Sequence, residues 1–135
     1  MEAKPKTIQV PPNCDLTLGL VCVEKAEQGR TKWKMFADER FCNPAGIIQG
    51  GFLAALADSA MGATSVTWAK GKKVYSSNVE FKISFFRPVM PGIDLYCTAQ
   101  VISGGRRCAF IEASITDSKD TLFAKASSTF LYTPR

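Results

Sequence analysis

At 135 residues the chain has the length of one domain and enough material to bury a core. Apolar residues at 46% and charged residues at 21% are ordinary globular proportions and exclude a disordered chain. The net charge of +5 is mild; it suits an anionic ligand or a solvated basic surface, and no arginine–aromatic interleaving argues for nucleic acid.

In chain order, residues 1–15 carry Pro5, Pro11 and Pro12 and read as a loosely ordered arm. The opening MEAKPKTIQVPPN has no apolar core of the signal-peptide kind, so a cytoplasmic protein is expected. Leu16 to Val23 is apolar and predicts a strand, with Thr31 to Asp38 as its alternating hairpin partner across Gln28-Gly29. Pro44 and Gly46 then break the chain. From Ile47 to about Trp68 runs an apolar segment too long for a strand, with the helix formers LAALADSAM at its centre and Lys70-Gly71-Lys72 at its end. Its length approaches a bilayer span, but Asp58 falls mid-run, at roughly 2.5–3.5 kcal/mol on insertion scales, and a membrane helix is rejected.

Four strand-like segments follow. VEFKISFF (79–86) alternates so that Val79, Phe81, Ile83 and Phe85 share a face. IDLYCTAQVI (93–102) ends at Ser103-Gly104-Gly105, CAFIEASITD (108–117) ends in the turn DSKD, and LFAKASSTFLY (122–132) completes the set. A helix without a charged face is a buried helix, and alternating strands joined by short connections make an antiparallel sheet. The expected architecture is α+β, one curved antiparallel sheet wrapped around one central helix, in a single domain over residues 1–135.

Two counts limit the chemistry. The chain has no histidine, so Ser-His-Asp and Cys-His arrangements are excluded, and any base must be a carboxylate, lysine, tyrosine or cysteine. Its five cysteines show no CxxC spacing, so no metal site is expected and the thiols read as reduced, Cys42 standing out for its place beside the helix. Asp58 is then the group of interest. A lone carboxylate in an apolar helix must find donors, among them Ser59, Thr64 or a neighbouring subunit, or have its pKa raised. Gly50-Gly51 at the helix start offers free N–H groups that could hold a developing oxyanion. Asn43 on the preceding loop orients a water or a carboxylate, or caps a turn.

The pattern Asn43-x-x-Gly46-x-x-Gln49-Gly50-Gly51, followed by Leu56-x-Asp58, resembles the signature of hotdog-fold acyl-CoA thioesterases of the phenylacetyl-CoA (PaaI-like) type. VEFKISFFRPVMPG resembles that family's post-helix strand and R-P turn, and GGRRCAFIEASITDSKDTLFAKASSTFLY its last two strands; the likeness spans about residues 16–132. The resemblance implies a hotdog fold and hydrolysis of an acyl- or aryl-CoA to free acid and CoA, CoA being part of the substrate and no cofactor being needed. It implies Asp58 as base or nucleophile and Gly50 N–H as the group polarising the carbonyl. It implies that Asn43 helps position the nucleophile, that Gln49 keeps an orienting role through a hydrogen bond, and that Ser76 holds the attacking water. It further implies a site built across a dimer, or a dimer of dimers. Arg87, Arg106 and Arg107, with Gly104 and Gly105, are the candidate CoA contacts, since guanidinium matches phosphate. Phe41, Phe52, Leu53 and Met61 are the candidate acyl pocket. The family's usual histidine is Gln49 here, which motivates a second reading, an acyl-CoA-binding module that acts as sensor or carrier without hydrolysis. A hotdog dehydratase would need a histidine.

Overall fold

The computed structural model describes residues 9–135. Of the proposed N-terminal arm, residues 1–8 lie outside the described part, and the rest is not loose throughout. Asn13–Leu18 forms a short helix, α1, entered from Pro12 and closed by Gly19 at φ +71°. The Gly19 and Leu20 N–H groups donate back to the Leu16 and Asp15 carbonyls at 3.2 and 3.0 Å. This left-handed glycine stop corrects the strand expected from Leu16, because it lets the chain spend its apolar Leu16 and Leu18 on a helical turn before extending. The strand proper, β1, is Val21–Glu27, and β2 is Arg30–Phe36.

A 3-10 turn at Glu39–Phe41 leads to the long helix α2, Gly50–Ala69. It ends where expected, at Lys70 and Gly71 in the left-handed region. The remaining strands are β3 (Val74–Phe85), β4 (Asp94–Gly104), β5 (Cys108–Thr116) and β6 (Leu122–Pro134). They form one antiparallel sheet in the order β1-β2-β4-β5-β6-β3, with α2 packed on one face. This is the hotdog arrangement. Among the described residues no helix is long and apolar enough to cross a membrane.

The core follows from helical and strand periodicity together. Leu53, Leu56, Ala57, Ala60, Met61 and Thr64 recur at three- and four-residue steps on the buried side of α2. Opposite them stand Met35, Leu95, Cys97, Ile111, Ile115 and Phe130, interleaved with Ala99, Ala109, Ala113, Ala124 and Ala126. Those alanines let the sheet come close to the helix. Thr31 and Thr64 join their hydroxyls at 2.8 Å inside this apolar layer, and Trp33 Nε1 donates to Thr31 at 3.0 Å, so the polar groups buried there are paired. Met61, proposed for an acyl pocket, is fully buried in this core. The five cysteines are free thiols, and burial pushes the Cys97 thiol up to about 12, which leaves it inert.

The helix is not enclosed on all sides, however. Gly51, Asp58 and Val66 are exposed, and with Ala55, Gly62 and Ala69 they form an open stripe of small residues. β3 is an edge strand, paired only with β6. Its expected alternation is also interrupted. A bulge falls between Asn78 and Glu80 in the pairing with β6, and Val79 has no partner. The extra residue switches which side chains face α2 from even numbers before the bulge to odd numbers after it. Phe81 and Ile83 accordingly pack toward the core, while Val79 is 57% exposed.

At the far end of α2, Trp68 fills the space left by two glycines. A Cβ on Gly104 would lie 2.7 Å from the indole, and one on Gly29 would lie 3.0 Å away, while Trp68 Nε1 donates to the Gly105 carbonyl at 3.2 Å. The Gly104-Gly105 pair proposed for CoA therefore forms the seat of a tryptophan. Gly104→Ala is expected to displace the indole and lower stability by about 1–3 kcal/mol. Urea unfolding measures it; an unchanged midpoint would mean that the indole moves aside freely.

Candidate active site

The segment before α2 is built by Asn43. Its Oδ1 accepts from the Ala45 and Ile47 N–H groups at 3.0 and 3.2 Å, and its own N–H donates to the Ile47 carbonyl at 2.8 Å. This tight turn leaves the Asn43 side-chain amide exposed but uses its oxygen, so the turn-capping alternative is met. Ile48 N–H donates to Val89, and Gln49 N–H to Phe41, which fix the direction in which the helix starts. Gln49 is the N-cap residue, exposed, with no side-chain capping bond. The first turn of α2 therefore presents N–H groups without intrahelical acceptors and contains no acidic residue.

Beside it opens a cleft of about 460 Å³, lined by Ile47, Ile48, Gly50, Leu53, Phe85, Phe86, Arg87, Pro88 and Val89. Of the proposed acyl-pocket residues Leu53 lines this cleft. Phe41 and Phe52 instead stack on each other, centroids 4.3 Å apart, and are not among its lining residues.

Asp58 sits on the open side of α2, exposed in the single chain rather than buried as the apolar run implied. The helix packs only one face on the sheet, and Asp58 is on the other. Partial burial lifts its carboxyl above the ordinary value, and a hydrogen bond from Asn78 opposes the lift. Asn78 Nδ2 donates to Asp58 Oδ1 at 2.9 Å. This contact was not read from the sequence. The signal available was the spacing along the strand after the helix, but the expected hydroxyl was put at Ser76. Ser76 Oγ lies instead 2.6 Å from Ser65 Oγ, about two helical turns beyond Asp58. Ser76 and Asn78 share the helix-facing side of β3 before the bulge, and Asn78 is the one level with Asp58.

Within one chain these groups do not converge. Gly50 and Asp58 are separated by roughly 12 Å of helix rise, too far for both to contact one carbonyl. The basic candidates are divided as well. Arg87 stands at the rim of the cleft near the N-terminal end of α2, whereas Arg106 lies near Trp68 and Lys72 at the C-terminal end. Among the described residues no cluster of Cys, Asp or Glu could hold a metal ion.

Residues 45–124 match the family profile of the thioesterase superfamily. Among similar proteins, the human acyl-coenzyme A thioesterase 13 is 27% identical over 105 residues, covering 78% of this chain and 74% of that one. A putative esterase of Saccharolobus solfataricus is 31% identical over 108 residues, covering 80% and 70%. The Escherichia coli PaaI protein of the phenylacetic acid degradation operon superposes with a TM-score of 0.84 at 21% identity, covering 91% of this chain and 86% of that one.

The lifted Asp58 carboxyl has a consequence for stability. Below the ordinary value of 3.8 the group is protonated in folded and unfolded chains alike. As pH rises from there toward the lifted folded value, ionisation becomes progressively costlier in the folded state, and above that value the cost is constant. Asp58→Asn removes it. The variant is expected to melt at a higher temperature than the wild type at pH 7, with the gain shrinking as pH falls toward 3.8; an equal Tm at pH 7 would contradict the desolvated carboxylate.

Proposed function

The chain belongs to the thioesterase superfamily, a family of thioester hydrolases, and on that premise we propose that it hydrolyses an acyl-CoA to the free acid and CoA with Asp58 as the reactive carboxylate. The observation that carries the assignment is the Asn78–Asp58 hydrogen bond on an otherwise apolar helix face. With Oδ1 held by the amide, Oδ2 is left to act on the thioester carbonyl carbon, either by taking a proton from water or by attacking directly. By the water route the water oxygen bonds to the carbonyl carbon, the C–S bond breaks, and the proton taken by Asp58 passes to the leaving CoA sulfur. By direct attack an acyl–Asp58 anhydride forms as the C–S bond breaks, the thiolate takes a proton from solvent, and water then cleaves the anhydride to free acid and carboxylate. The Gly50 N–H, at the positive end of α2, polarises the carbonyl and takes the developing oxyanion. Gln49 lies beside that amide and supplies a donor, but no imidazolium. Asn43 holds the loop that aims the helix. Water is the co-reactant, and the reaction needs no cofactor.

The 12 Å between Gly50 and Asp58 leads to a second part of the reading. The two groups meet at one carbonyl only if they come from two copies of the chain. The free edge of β3 and the small-residue stripe of α2 are the surfaces available for that association. Arg87 of one copy and the Arg106–Arg107 end of another are the candidate contacts for the CoA phosphates.

A thiol-release assay on acetyl-, octanoyl-, palmitoyl- and phenylacetyl-CoA tests the reaction. Wild type is expected to release CoA from at least one of them, and Asp58→Ala to lower kcat by about 10²–10⁴-fold while remaining folded. Near-wild-type kcat in the variant would sink Asp58 as the reactive group. Binding of the esters by calorimetry without any release would leave a carrier or sensor. Sedimentation at micromolar concentration is expected to give a dimer or a dimer of dimers; a monomer that still turns over would overturn the shared site.

A further inference from the structure

Gly50 does not leave open space above the helix start. A Cβ on it would stand 2.8 Å from Phe85 Cζ and 3.2 and 3.3 Å from Cε1 and Cε2. The contact is made by the tip of the ring, so Phe85 reaches from the end of β3 and abuts the first residue of α2. The absence of a side chain at position 50 accommodates an aromatic ring of the same chain. Phe85 is nevertheless 51% exposed, so one side of the ring is held and the other is free.

Phe85 lines the 460 Å³ cleft together with Ile47, Ile48, Leu53, Phe86, Arg87, Pro88 and Val89. Ile48, Leu53 and Val89 are buried and belong to the core, so their shape is fixed by the fold. Among these walls Phe85 is the side chain that abuts Gly50, and it stands outside the buried core. A carbonyl brought to the helix start therefore comes beside this ring.

We propose that Phe85 is a specificity-determining residue, its ring setting the bulk of the acyl group that the cleft admits beside Gly50. The inference rests on the acyl-CoA reading above and names the residue that selects its substrate. A ring clasped against the helix start limits the cleft in the way that a pocket wall limits a chain, where each methylene accommodated or rejected changes discrimination by about 10–200-fold. Because the ring is half in solvent, trimming it empties no sealed cavity and the fold survives the change.

The test compares wild type, Phe85→Ala and Phe85→Trp. One arm measures kcat/KM on acetyl-, octanoyl-, palmitoyl- and phenylacetyl-CoA. The other measures Kd for the same esters in the Asp58→Ala background, which needs no hydrolysis. Phe85→Ala is expected to shift the ratio of bulky to small acyl groups upward by about tenfold or more, and Phe85→Trp to shift it down. Unchanged ranking in both arms overturns the proposal. A uniform loss across the series overturns it as well, since it would make the ring a support for Gly50 rather than a selector. If wild type hydrolyses none of the esters, the acyl-CoA hydrolase reading fails, and the Kd ranking alone decides the role of Phe85.

Discussion

The passage of β3 along α2 is the constraint on which the rest of the molecule depends. The strand runs antiparallel to the helix and touches it at intervals: Ser76 at Ser65, Asn78 at Asp58, and Phe85 at Gly50. A twelve-residue strand alternating without interruption would send Asn78 and Phe85 to opposite faces, since their numbers differ in parity. The bulge at Val79 absorbs one residue and brings both to the helix side. One unpaired valine thus sets the donor on the carboxylate and the ring on the helix start in the same stroke.

A second constraint comes from the helix itself. α2 is apolar around its whole circumference, yet the sheet covers only one side of it. A soluble helix of that composition wants covering on the other side too. What it presents there is a stripe of small side chains ending in no charge but Asp58, beside a strand edge with unused hydrogen-bonding groups. Edges of that kind are commonly blunted by charge or proline. Here Glu80 and Lys82 are exposed on the edge strand, and Tyr75 and Val79 are exposed beside them. The same surface that would be a liability in a lone chain is the one the proposed shared site requires.

Most of this architecture was legible in the sequence because it is periodic. The long helix, the later strands and the α+β class follow from apolar spacing, and the end of the helix from Lys70-Gly71. What escaped was set by single residues whose effect is not periodic. Gly19 turns an apolar stretch into a helical stop, and Leu16 to Leu18 leave the strand. Val79 shifts parity, so the face shared by Val79, Phe81, Ile83 and Phe85 breaks at its first member. Along the strand it is the Asn78 amide rather than the Ser76 hydroxyl that reaches Asp58. Gly104 and Gly105 were candidate CoA contacts, but a Cβ on Gly104 would strike Trp68, and the Gly105 carbonyl accepts from the same indole. Asp58 stood out as the one charge in an apolar run. Its exposure could not be read there, because an apolar helix looks the same in sequence whether its second face is covered by its own sheet or by another chain.

The electrostatics of the two halves argue for their meeting. Asp58 has one protein donor, Asn78, against a desolvation that already dominates its titration. Covering the open face by a second copy would remove more water and push the carboxyl higher, unless new positive potential came with it. The start of α2 has the complementary deficit, free N–H groups and no acid in its first turn. An anion near such an end is stabilised by about 0.3–1 kcal/mol when exposed and up to about 2 kcal/mol when partly buried. In the proposed pairing each copy's helix start faces the other's carboxylate, so the charge is kept ionised by the same amides that, with substrate present, would receive the oxyanion. In that pairing a substrate carbonyl entering between them would take over those amides and leave Asp58 with Asn78 alone, a more basic carboxylate at the moment it is needed.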